Sequence, residues 1–398
     1  MPPKTLRFKN RRAQIIVAAV AVINQKGIRA MTFSDVGERL GIVPSAVVYY
    51  FASKEELAEA CFLGAIERFN ELIEAASVAT SSRERIAQFL KNYFVFQARV
   101  ANAEADAVTV FNDVRALNSK RVTDAYVGMF RRIRSLLVDN EFRYWTRPQA
   151  NACTHLLITQ VLWSVAWAYR HDPDEYPRIA DCMRSITNQG IRIQADWRPM
   201  PLPDLFSVVA NDPNENYFQV ATQLINEEGY VGASVDKISA RLKVTKGAFY
   251  YRHETKEELV IACFERSFAF MREAVREAGK LGTSSYQTLI TATCGLIKYQ
   301  VSDSTRLLRT SALTSVPMAA KHALLEQFER ITLRFSSLIS DGIAEGSVRP
   351  VDTHIAAQML TGMINGAAEL HLWVKDLSAD IAIATYARPY FEGLAPSS

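Results

Sequence analysis

Apolar residues recur at three- and four-residue spacing along almost the whole chain, and two-residue alternation is scarce. Ile16, Ala19 and Ile23 form one stripe and Phe33, Val36 and Leu40 the next; Phe218, Ala221 and Ile225, then Val235, Ile238 and Leu242, repeat them far downstream. This spacing predicts an all-α protein. Punctuation sharpens the prediction. A first helix over about 11–25 stops at Gly27. Thr32 is placed to cap a second, with Asp35 three residues on, and Gly41 suits the left-handed residue that ends it. A third helix, over about 44–50, carries small residues first and aromatic residues last. Ser53-x-x-Glu56 is a capping box that opens a fourth. Two short helices joined by a tight turn form a helix-turn-helix, whose second member enters the major groove of DNA.

The same pattern is written twice. Thr32 to Leu57 and Ser234 to Leu259 register without a gap, and Gly27 pairs with Gly229, an offset of 202 (229 − 27). Arg147-Pro148 and Arg349-Pro350 keep that offset, which reads as duplication of one long unit. Pro199, Pro201, Pro203 and Pro213 interrupt any helix between about Asp196 and Asn214. The predicted layout is a reading head over 1–56, a helical body over 57–196, a linker over 197–213, a second head over 214–258 and a second body over 259–398. Lesser breaks fall at Thr80-Ser81-Ser82, His171-Asp172-Pro173 and Gly282 to Ser285.

Helices that approach a groove closely need small side chains, and Ser45-Ala46 and Gly247-Ala248 supply them. Tyr49 and Tyr251 offer a hydroxyl to phosphate and a ring edge to thymine methyl groups. A lone tyrosine here is more often a core aromatic; the repeat and the lysine that follows favour DNA. Lys54 and Lys256 fall in the first turn of the fourth helix of each head, where free N–H groups attract phosphate. Lys4, Arg7, Lys9, Arg11 and Arg12 form a basic run without an acid. Such a run is either a solvated tail or an arm against phosphates or the minor groove, and the adjacent motif favours the arm.

These residues resemble the TetR (tetracycline repressor) family of bacterial regulators. Its pattern of small turn residues, a tyrosine pair and serine-lysine-glutamate-glutamate-leucine appears in both heads over about 45 residues each. The resemblance implies two family subunits fused: an all-α pseudo-dimer in which each unit has a three-helix head and a larger helical ligand and dimerisation body. Val48 stands where the family has its first tyrosine, and Tyr50 where it has histidine. In the second head Lys243 replaces the turn glycine, Arg252 the histidine and His253 the phenylalanine. Asp212, Asn214 and Glu215 stand opposite Asn10, Arg12 and Ala13, so the second head lacks the basic run. The heads are thus unequal: Arg11, Arg12, Thr32, Pro44, Ser45, Tyr49, Tyr50 and Lys54 in one; Ser234, Thr245, Lys246, Gly247, Tyr250, Tyr251, Arg252 and Lys256 in the other. Unequal heads predict a double-stranded operator with unequal half-sites. The resemblance also implies that segments near 149–170 with 176–194, and 351–374 with 378–391, pair in a four-helix bundle.

At 398 residues the chain exceeds one core, and 49% hydrophobic with 22% charged residues describes an ordinary soluble globular protein. Net charge is only +4, so a nucleic-acid surface must be local. Cys61, Cys153, Cys182, Cys263 and Cys294 have no framework or metal spacing and read as small buried hydrophobes in a reducing cytoplasm. No stretch approaches the ~18 apolar residues of a membrane span, and no cofactor is expected. A family-type inducer cavity would draw on Phe89, Tyr93, Phe96, Phe111, Phe130, Gln160, Trp163 and Trp167 in the first body, and on Tyr299, His322, Phe328, Phe335, Asn365 and Trp373 in the second. Aromatics at helical spacing are commonly core, so these indicate only that an inducer would be largely apolar or aromatic. Two other classes remain: a sensor or adaptor whose heads have lost DNA, favoured by Val48 and His253, and an enzyme, for which no nucleophile elbow, phosphate loop or metal motif exists. Pairing of two fused chains stays open.

Overall fold

The computed structural model describes residues 6–111, 114, 117–139, 141–193, 197–203, 214–252, 255–302, 307–309, 312, 316 and 318–394. Its first half holds α1 (Leu6–Lys26), α2 (Phe33–Leu40), α3 (Pro44–Val48), α4 (Lys54–Ser77), α5 (Ser82–Ala101), α6 (Lys120–Leu137), α7 (Arg147–Trp163) and α8 (Tyr176–Gln189). The second half repeats the order with α9 (Glu215–Gly232), α10 (Val235–Leu242), α11 (Lys246–Arg252), α12 (Lys256–Leu281), α13 (Ser285–Val301), α14 (Met318–Ala344) and α15 (Thr353–Gly366). It ends in a broken helix: α16 (Ala379–Ala382), a π turn (Ile383–Ala387) and α17 (Arg388–Glu392). Among the described residues the β structure is an isolated antiparallel bridge between Arg192 and Val348. Asp196, Asp212, Pro213 and His253 lie outside the described residues.

The predicted caps form. Thr32 accepts from the Asp35 N–H while Asp35 accepts from the Thr32 N–H. Ser53 caps α4, but Glu56 reaches back to the Ala52 N–H at 2.8 Å; at Thr255 and Glu258 both bonds of the box fall on the cap residue. Gly41 ends α2 at φ 64°, and Lys243 ends α10 at φ 56°. The lysine therefore occupies the left-handed turn despite its Cβ. Gly27 and Gly229 match as expected at φ 79° and 72°, although α9 kinks and runs on where α1 stops.

The expected constant offset fails in the bodies. It is 202 through the heads but 203 beyond them: the α5 cap Ser81 matches Ser284 of α13, and the left-handed α8 cap Gly190 matches Gly393 after α17. Arg147-Pro148 and Arg349-Pro350 are not equivalents. Pro148 lies in the first turn of α7, whereas Pro350 precedes Asp352, the cap of α15. The basic run also differs from an arm, because α1 begins at Leu6 and carries Arg7, Lys9, Arg11 and Arg12 in its first turns.

Cys61 and Cys263 are buried equivalents whose thiols approach the carbonyls of Ile16 and Phe218, at 3.8 and 3.7 Å. Burial pushes both up to about 12. Cys153 and Cys294 are buried likewise, while Cys182 is half-buried.

The bodies meet through α7 and α8 on one side and α15 with the C-terminal helix on the other. A Cβ on Gly362 would lie 2.7 Å from Trp163, and one on Gly366 would lie 2.3 Å from Thr159. Glycines one turn apart let α15 approach α7 closely, as at small-residue helix crossings. In the body register Thr159 corresponds to Gly362 and Trp163 to Gly366, so these contacts are one pseudo-two-fold pair. The pattern repeats outward. His155 Nε2 meets the Gly366 carbonyl at 2.8 Å, and its mate is the Trp163 indole N–H on Gln358 Oε1 at 3.3 Å. Gly190 packs on the Phe391 carbonyl, and Gly393 on that of Asn188. Phe130 and Trp373 stack at 3.6 Å. The linker residues 197–203 lie on α13: the Met200 N–H donates to Thr291 Oγ1, and Leu202 covers Gly295.

Two histidines, His171 and His354, approach across this interface with ring centroids 5.7 Å apart. Burial, then the neighbouring His171, holds the His354 imidazole below its usual 6.5. Burial raises the Asp352 carboxyl, but the Ile355 N–H and Arg178, at 2.6 Å from the other half, outweigh it and lower the net value.

This packing has two measurable consequences. Lys243→Gly relieves the left-handed strain, offset in part by the freer unfolded chain, and should raise stability by up to about 1 kcal/mol in thermal or urea unfolding. The depressed His354 means that the unfolded chain takes its proton first. Stability from this group is complete above about 6.5 and falls as the pH drops toward the folded value. The melting temperature should therefore decline between pH 7 and 5, less so in His354→Gln, with a further loss near pH 4 and below as Asp352 protonates; a profile identical in the variant would refute the assignment.

Candidate nucleic-acid interface and effector cavity

In the first head Val48 of α3 and Tyr49, which caps it, face solvent, 49% and 74% exposed, while Val47 beneath is fully buried. The second head keeps that alternation: Phe249 is buried and Tyr250 is 49% exposed. The side chains of Tyr251 and Arg252 lie outside the described residues. Pro44, Ser45, Thr245, Lys246 and Gly247 are exposed, so these predicted positions share one open face of each head. Phe8 near the start of α1 packs on this face, 4.7 Å from the Tyr50 ring and 6.0 Å from that of Tyr49. Arg12 stacks over Phe51 at 4.5 Å, and Arg11 bonds to Gln14. Sequence reasoning missed Phe8, although it sits on the α1 face that carries Arg12 one turn later.

Other predicted contacts have internal duties. The hydroxyls of Thr32 and Ser234 cap α2 and α10. Lys54 Nζ donates to the Arg29 carbonyl at 3.2 Å. Burial lowers the Lys256 amine. Lys246 pairs with Asp236 at 2.5 Å, and on the same head Arg241 pairs with Glu227 and Lys237 with Glu228. The equivalent spans 6–56 and 208–258 hold eight basic against four acidic residues and six against eight, net +4 against −2. The heads touch: the Arg29 guanidinium lies over Gly232.

The anchoring of the heads also differs. Arg266 on α12 makes a buried ion pair with Glu215 at the start of α9 and donates to Tyr299 Oη at 2.9 Å. Glu215 is thus not a surface charge. Ala13 and Gly64 occupy the equivalent places in the first half, so the pair has no counterpart there.

The bodies share a half-open cavity of about 490 Å³ lined from both halves. Phe111, Tyr126, Thr159, Leu162 and Trp163 face it from one half; Arg309, Lys321, Leu325, Phe328, Thr332 and Asn365 face it from the other. Arg170 and Glu329 bridge the halves at its wall, and Arg309 pairs with Glu369 at 2.9 Å. Of the predicted ligand residues, Phe111, Trp163, Phe328 and Asn365 reach it. The rest do not, because packing claims them. Tyr93 is buried and accepts from Ser164. Gln160 lies among Leu156, Met359 and Tyr390. Phe89, Phe96, Trp167 and Phe335 are core, and Phe130 with Trp373 forms the interfacial stack. Tyr299 belongs to the Arg266 network. His322 is exposed beside Glu326. The charged lining is unforeseen, because sequence spacing does not bring Arg170 to Glu329.

Paired helix-turn-helix heads on helical bodies define a DNA-binding regulator. The description "Bacterial regulatory proteins, tetR family" matches residues 15–61 and again 218–263, and "Tetracyclin repressor-like, C-terminal domain" matches 282–373. The chain belongs to the TetR family of transcriptional regulators, in tandem-duplicated form, and is not an enzyme. It is 24% identical over 160 residues to the Transposon Tn10 TetC protein of Escherichia coli, a match that spans 38% of this chain and 80% of that one. It is 27% identical over 137 residues to the HTH-type transcriptional regulator BetI of Rhizobium meliloti (strain 1021), 34% of this chain and 66% of that protein. Among solved structures it is similar to the TetR-family regulator PfmR from Thermus thermophilus, at 17% identity and a TM-score of 0.37, over 45% of this chain and 98% of that one. No helix among the described residues is long and apolar enough to cross a membrane.

Proposed function

We propose that this regulator works in the cytoplasm as a self-contained pseudo-dimer, a repressor that reads two unequal half-sites of an operator and releases it when one small, largely apolar or aromatic molecule fills the shared cavity. The observation that carries this is the pair of exposed, unlike reading faces on touching heads above a cavity built by both halves. The division into heads at 1–56 and 214–258, bodies at 57–196 and 259–398 and a linker at 197–213 belongs to the same reading. Tyr49, Tyr50, Ser45 and Pro44 on one face, and Thr245, Gly247 and Tyr250 on the other, supply the base and phosphate contacts, with Tyr251 and Arg252 next in sequence; the basic turns of α1 add phosphate contacts on the first side alone. Linkage within one chain holds the halves at high effective concentration and keeps the two-headed form intact on dilution.

The net −2 of the second head and its internal ion pairs support a second reading, in which that head has surrendered DNA and the protein grips one half-site. A single experiment separates them. An operator selected from random DNA should footprint as two unlike half-sites about 34–36 Å apart. Inverting either half-site alone should weaken binding at least tenfold, and log affinity should fall with log salt by about 0.9 per phosphate contacted. Protection of one half-site only favours the second reading. Equal affinity for a symmetrised operator overturns the first.

A further inference from the structure

The first helix of each head is gripped by the cavity wall through the same device. Asn24 Nδ2 donates to the Val108 carbonyl and Asn24 Oδ1 accepts from the Val110 N–H, both at 3.0 Å. Its repeat equivalent, Asn226, donates to the Leu307 carbonyl and accepts from the Arg309 N–H, both at 2.9 Å. One amide thus spans two backbone groups of a segment that has no regular helix of its own to satisfy them. Asn24, Val110, Phe111 and Arg309 all line the cavity. What differs is the far end of the gripped helix. In the first half α1 runs rigidly from Asn24 to Phe8, about 24 Å at 1.5 Å per residue, and Phe8 rests on Tyr49 and Tyr50 of the reading face. In the second half the start of α9 is fixed to α12 and α13 by Glu215, Arg266 and Tyr299.

We infer that α1 is a lever: cavity occupancy shifts the 108–111 segment, Asn24 passes the shift to α1, and Phe8 delivers it to Tyr49 and Tyr50, while the Glu215–Arg266 pair holds the second head still. This rests on the proposed effector role of the cavity and adds which head responds and through which residue. Asn24 is a positioning residue; it reads no DNA. The charged wall at Arg309 is on the static side, so the moving side senses the apolar residues Val110 and Phe111.

The test uses the full chain, with anilinonaphthalene sulfonate as an aromatic probe of the cavity and hydrogen exchange as the readout. With probe bound, amides of 45–50 should change exchange rate several-fold and those of 246–252 should not. At a probe concentration that saturates the variant, Asn24→Ala should lose the response. Asn24→Asp, which keeps the acceptor and loses the donor, gives the same test if the alanine variant does not fold, and should reduce the response. Arg266→Met together with Glu215→Leu, which removes the ion pair without stranding a charge, should let 246–252 respond. An unchanged response in both Asn24 variants, or equal responses of the two heads in the parent protein, overturns the lever while leaving the cavity as a binding site. Absence of any probe emission that a Leu325→Glu substitution suppresses overturns the cavity reading and the lever with it.

Discussion

Everything in this molecule turns on how closely α15 can approach α7. Gly362 and Gly366 give α15 a smooth side, and Trp163 and Thr159 of α7 fill it. The fit is lopsided, since one half carries the protrusions and the other the space. Two first halves would set Trp163 against Thr159 on both sides of the axis, and two second halves would leave glycine facing glycine. Overpacking costs on the order of 1–3 kcal/mol and unfilled space a comparable amount per lost contact set, so each half fits its covalent partner better than a copy of itself. Thr159, Trp163, Gly362 and Gly366 at this seam also line the cavity.

Difference between the halves extends from this seam to the reading faces. Duplication set identical heads on identical bodies; the present chain has retained the geometry and changed the chemistry. The same left-handed turn is made by Gly41 in one head and Lys243 in the other. The same α1 position is Ala13 in one and the buried Glu215 in the other, answered by Arg266 where the first half has Gly64. A buried ion pair contributes little net stability but is costly to break on one side, which suits a part that fixes an angle.

Much of this was legible in the residue pattern. Helical class, the caps at Thr32, Ser53 and Thr255, and the equivalence of Gly27 with Gly229 and of Cys61 with Cys263 depend on local spacing, and local spacing is what a sequence displays. The exposure of Tyr49 followed from the motif, whereas the burial of Val47 beneath it was seen only in the structure. The Arg-Pro match misled because dipeptides recur by chance, and a one-residue shift is invisible without the caps that define it. The cavity was the least legible feature. Tyr93, Phe130 and Trp167 were candidates by type, yet whether an aromatic lines a chamber or fills a core depends on residues far away in the chain, such as Trp373 behind Phe130 and Ser164 beside Tyr93.

The cavity that straddles the joint takes its walls from both halves of one chain. Two-subunit regulators with a pocket apiece can respond sigmoidally, because filling the first alters the second. Here both halves contribute walls to one cavity, so an occupant touches both at once. An occupant of it would meet both halves in one binding step, with no first site needed to influence a second.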